Sequence, residues 1–71
     1  MKTLNFKTNI TDHDSMLAVT QALNGIEPID GWNLDLGDPD KLLTIQTIDN
    51  RIGEQVTQAL ARAGFRAEPV D

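Results

Sequence analysis

Polar and apolar residues alternate from the start of the chain. Leu4, Phe6 and Ile10 fall on one side of residues 3–10 with polar residues between them, the pattern of a half-buried strand. From Ser15 to Leu23 the period lengthens. Met16, Val19 and Leu23 recur at helical spacing with Ala22 beside them, and Asn24-Gly25 offers a left-handed stop after about ten residues. The connection Gly-Ile-Glu-Pro-Ile-Asp-Gly (25–31) holds two glycines and a proline, and its Ile26 and Ile29 are expected to pin it to the core. Alternation returns at Trp32, Leu34 and Leu36, breaks at the turn-forming Gly-Asp-Pro-Asp-Lys (37–41), and resumes at Leu43 and Ile45, so an antiparallel hairpin is expected.

Asp49 or Asn50 can cap a second helix, on which Ile52, Val56, Leu60 and Ala63 form one stripe. Gly53 within it costs about 1 kcal/mol relative to alanine, which weakens the first turn. Gly64 ends the helix, and residues 65–70 alternate again, with Pro69 suited to the end of an edge strand. The order is β-α-β-β-α-β. One apolar stripe per helix and one apolar face per strand fit an α+β, ferredoxin-like sandwich, in which a four-stranded antiparallel sheet carries two helices on one face.

Composition narrows the function classes. A chain of 71 residues makes a single domain, residues 1–71, and buries only about 60% of the surface its unfolded chain exposes. There is no cysteine, so disulfides, thiolate metal sites and cysteine nucleophiles are excluded. A net charge of −5 with scattered basic residues argues against nucleic acid. No stretch approaches the roughly 20 apolar residues of a membrane span, and the first residues lack the apolar run of a signal peptide, so the cytoplasm is expected; a monomer is the default, although the sheet edges of such a fold can pair.

Over nearly its whole length the chain resembles the heavy-metal-associated domain of small copper chaperones and of metal-transporting ATPases. The likeness is carried by AVTQALNGIEPIDGWNLDL (18–36) and QALARAGFRAEPV (58–70), whose Ala-Gly-Phe-x-Ala ending is similar to the family's usual close. The resemblance implies a metal-transport or accessory protein as partner. The family's motif is a methionine, any residue, then two cysteines separated by two residues, between the first strand and the first helix. Residue by residue it falls with Ile10 on the methionine and Asp12 and Ser15 on the cysteines, so both thiols are absent. Cu(I) is soft and prefers sulfur, for which carboxylate and hydroxyl oxygens are poor substitutes.

Two readings of Thr11-Asp12-His13-Asp14-Ser15 stay open. In one, Thr11, Asp12 and Asp14 cap the first helix by accepting hydrogen bonds from its orphan N–H groups. In the other, Asp12, His13 and Ser15, with Met16 nearby, hold a divalent cation weakly. His13 is the sole histidine and lacks the partner and pocket that a general base needs, so no enzyme is expected. Asp35, Asp38 and Asp40 lack the ligand spacing of a calcium loop and read as turn residues. Trp32 and Phe65 read as core aromatics. In the resembled family the equivalent of Phe65 sits under the metal loop, which implies that it braces residues 11–15 here.

Overall fold

A computed structural model describes residues 2–70. The elements are β1 (Lys2–Thr8), α1 (His13–Asn24), β2 (Ile29–Leu34), β3 (Leu43–Thr47), a single 3-10 turn (Asn50–Ile52), α2 (Gly53–Arg62) and β4 (Ala67–Val70). All strand pairs are antiparallel, in the order β2-β3-β1-β4, so the sheet is the expected four-stranded ferredoxin-like one.

Strand parity decides which face is buried. Phe6 of β1, Leu34 of β2 and Leu43, Ile45 and Thr47 of β3 are buried, while Asn33, Gln46 and Glu68 between such positions are exposed. Val19 and Leu23 of α1 and Val56 and Leu60 of α2 join the same buried cluster, so both helices cover that one face. On the opposite face the sheet presents polar side chains, among them Asn5 and Thr44, whose side chains pair across β1 and β3 at 3.1 Å. Among the described residues, Thr47 is the buried polar one, on the helical side. Its hydroxyl donates to the Pro28 carbonyl at 2.8 Å and accepts from the Asp49 N–H at 3.0 Å, which satisfies it and ties the approach to β2 against the end of β3.

Several boundaries differ from the sequence expectation. β1 stops at Thr8, so Ile10 lies outside the strand, yet it is fully buried. Helix α1 begins at His13 rather than Ser15, and it ends without a left-handed residue, because Gly25 stays right-handed at φ −81°. β2 starts earlier, at Ile29, with an irregular register between Ile29 and Gly31, and it ends before Leu36. Asp49, not Asn50, caps the second helical segment, its carboxylate accepting the Arg51 N–H at 2.9 Å. The first turn takes a 3-10 form over Asn50–Ile52, and α2 proper starts at Gly53. Ala63 is exposed just past the end of α2 rather than part of its buried stripe.

The C-terminus of α2 does close as expected. Gly64 takes φ +93° and the Phe65 N–H reaches the Leu60 carbonyl at 2.8 Å, the bond of a Schellman cap. This closure removes Phe65 from β4. Its side chain, half-buried, packs against the core, as does that of Trp32.

Candidate functional site

The loop between β1 and α1 lies at the end of the sheet where the β2–β3 and α2–β4 connections also arrive, since β1 runs antiparallel to both β3 and β4. Three hydrogen bonds show how this end is built. The Thr8 N–H donates to the Asp40 carbonyl at 3.1 Å, and the Thr8 hydroxyl donates to the Lys41 carbonyl at 2.6 Å. On the other side the Arg66 N–H donates to the Asn9 side-chain oxygen at 2.8 Å. Ile10, with no exposed surface, anchors the loop from below. The position that the family resemblance assigns to methionine is therefore filled by a core side chain.

Asp12 is the N-cap of α1. It has extended backbone (φ −139°, ψ 173°), and its Oδ1 accepts the Ser15 N–H at 2.7 Å while its carbonyl accepts the Met16 N–H at 3.1 Å. The backbone hydrogen bond from Ser15, followed by a second from the Ser15 side chain, holds the Asp12 carboxyl below the ordinary aspartate value. Asp14 adds negative charge to the first turn, where the helix field favours it.

Of the residues singled out from the sequence, the fold brings Asp12 and Ser15 together across the helix start. His13 and Asp14 are exposed beside them, and Met16 is half-buried against the core. Among the described residues, no group of three or more His, Cys, Asp or Glu side chains is gathered closely enough to hold a metal ion. The donor set does not fit Cu(I), because oxygen and a lone imidazole replace the thiolates that a soft cation needs.

The acidic β2–β3 connection is engaged in making its own turn. Asp35 Oδ1 accepts the Gly37 N–H at 3.0 Å and Asp38 Oδ1 accepts the Asp40 N–H at 2.7 Å. Lys41 closes the turn in the left-handed region, at φ 49°, with its ammonium donating to the Leu36 carbonyl at 2.8 Å. A bond to the Leu36 carbonyl and one from the Thr8 hydroxyl thus meet at a single residue.

Thr8 and Asn9 were invisible as site residues in the sequence. Their partners lie 33 and 57 positions away, and no local pattern marks a threonine or an asparagine for such a bond. A groove of about 680 Å³ opens elsewhere, between the start of β1, the first turn of α2 and β4, with Leu4, Phe6, Gly53 and Pro69 among its walls. No first-loop residue lines it.

No protein-family model and no curated protein sequence matches the chain significantly. Solved structures do. The N-terminal domain of PacS from Synechocystis PCC6803 superposes with a TM-score of 0.82 over 100% of both chains at 12% identity. The N-terminal domain of ZntA in its apo form gives 0.84 over 97% of this chain and 92% of that one at 17% identity. The copper(I)-loaded first domain of the human copper chaperone for SOD1 gives 0.74 over 94% and 89% at 22% identity. Identities this low speak for architecture alone, and the chain has the fold of the heavy-metal-associated domains.

Proposed function

We infer that this domain is a small metal-associated accessory module whose first loop has exchanged thiolate capture for helix capping. In this reading Asp12, His13 and Ser15 offer oxygen and nitrogen donors to a divalent cation, held weakly, and the partner is a metal-transport or accessory protein of the cytoplasm. The domain acts as a monomeric binding module without catalysis. The observation that carries the reading is the coincidence of two facts: 94% of the chain superposes on a solved copper-loaded chaperone domain, and Asp12 and Ser15 meet across the start of α1, where the Asp12 carboxylate accepts the Ser15 N–H.

The geometry also sets the expected strength. Asp12 Oδ1 already serves the Ser15 N–H, so a cation would have to be shared with the cap or approach through Oδ2. Consecutive residues entering a helix fan out around its axis, which leaves His13 to approach from a different direction. Such a site competes poorly with water, and binding in the millimolar range is expected.

Titration of the folded protein with Zn(II), Ni(II), Ca(II) and Cu(I), followed by the amide shifts of residues 10–17, tests this. Saturable shifts in the first loop with a divalent ion, lost in Asp12→Ala and His13→Ala, are the expected result. Unchanged shifts with every ion at millimolar concentration would overturn the cation reading and leave a module that serves only to dock.

A further inference from the structure

Asparagine occurs at positions 5, 9, 24, 33 and 50, and only Asn24 is followed by glycine. The other four precede Phe, Ile, Leu and Arg, whose side chains crowd the following backbone nitrogen. Asn24 is the last residue of α1, and both it and Gly25 are exposed. The Gly25 N–H has also left the helical ladder. It is directed to the Leu23 carbonyl alone, two residues back, whereas the equivalent N–H at the end of α2, that of Ala63, also reaches the Leu60 and Ala59 carbonyls three and four residues back.

From this placement we propose that Asn24–Gly25 is a modification site, at which the asparagine deamidates without an enzyme through a cyclic imide. The Gly25 backbone nitrogen attacks Cγ of Asn24. As the N–Cγ bond forms, the Cγ–Nδ2 bond breaks, and Nδ2 leaves as ammonia after taking up the proton released by the Gly25 nitrogen through solvent. Water then opens the five-membered imide at one of its two carbonyls, yielding aspartate or isoaspartate, so water is the only co-reactant. The reaction needs the Asn24–Gly25 peptide to leave its helical conformation, and the last residue of a helix does so most readily. Glycine assists because no Cβ shields its nitrogen.

The product has a defined effect on the fold. A carboxylate replaces a neutral amide at the C-terminus of α1, where the helix field is already negative, and the net charge moves from −5 to −6. Isoaspartate also inserts one backbone carbon between Leu23 and Ile26, whose 3.0 Å N–H···O=C bond spans the site and whose side chains both reach the core.

The test uses the intact folded protein, aged at physiological temperature and mildly alkaline pH, with mass measurement and peptide mapping. A gain of about 1 Da, located at Asn24 and accompanied by isoaspartate, is expected. The control variant Gly25→Ala should fold, since Gly25 is right-handed and an added Cβ would meet only the Ala22 carbonyl at 3.7 Å, and it should age far more slowly. Two results would overturn the proposal. One is a mass gain that Gly25→Ala does not slow; the other is a folded protein that stays unmodified while the same protein in urea gains the mass.

Discussion

Asp12 and Ile10 show how two neighbouring side chains divide the work at the first loop. Ile10 has no exposed surface although it lies outside any strand, so its contribution is burial alone. Truncating a fully buried isoleucine removes its transfer free energy and leaves a cavity, and Ile10→Ala should lower unfolding stability by about 3 kcal/mol, read from denaturant midpoints. Asp12 works through charge and geometry. Its carboxyl is held below the ordinary value of 3.8 in the folded state, chiefly by the Ser15 N–H. A depressed folded-state pKa contributes stability that is present above the unfolded value and is lost as pH falls through the folded one. Acidification below 3.8 should therefore destabilise the natural protein more than Asp12→Asn, which keeps a capping oxygen but has no proton to bind. Melting temperatures of the two proteins recorded across that range should converge; parallel curves would show that the cap does not depend on charge.

The two ends of α2 place glycine in opposite circumstances. Gly64 holds φ +93°, a conformation that costs an L-residue about 1 kcal/mol or more, so Gly64→Ala should destabilise by that amount. Gly53 has φ −52° at the start of the helix, and an added Cβ would meet Phe6 Cζ at 3.9 Å and Leu4 Cδ1 at 4.0 Å, ordinary contact distances. Gly53→Ala should stabilise by roughly 0.5 to 1 kcal/mol by restricting the unfolded chain and improving helix propensity. Thermal denaturation of the pair makes the opposite signs easy to see. The elements themselves were legible in the sequence because each keeps its own period, and Val19, Leu23, Val56 and Leu60 are where helical spacing puts them. The ends were less legible, for physical reasons that differ from place to place. Ile10 continued the parity of β1 while the backbone had already turned, because burial selects an apolar residue whatever the local dihedrals. Phe65 continued the alternation of β4, but its N–H was taken by the Schellman cap of α2. Asp12 was legible as a cap from its own neighbours, since the bond to Ser15 spans three residues. Thr8 and Asn9 were not, because the bonds that fix them join segments brought together only by the folded sheet.

At the scale of the whole molecule, the fold shared with a copper(I)-loaded chaperone domain allows a direct test of how the first loop places positions 12 and 15. The β2–β3 and α2–β4 connections are fastened to the first loop by bonds of Thr8 to Lys41 and of Asn9 to Arg66. The side chain of residue 12 already reaches back over the helix start to residue 15, with Asp12 Oδ1 2.7 Å from the Ser15 nitrogen. Two thiolates at these positions would lie on the same side of the first turn. They would also sit in the positive field of the α1 N-terminus, which lowers thiol pKa and favours the ligating form. The double variant Asp12→Cys with Ser15→Cys should therefore keep the fold and acquire tight Cu(I) binding, whereas Asp12→Cys alone should bind far more weakly, because two-coordinate copper needs both sulfurs. Competition with a chromogenic Cu(I) chelator measures the affinity, and circular dichroism checks the fold. A folded double variant that takes no more copper than the natural protein would mean that the first loop, despite its place in the architecture, does not present positions 12 and 15 as a ligand pair.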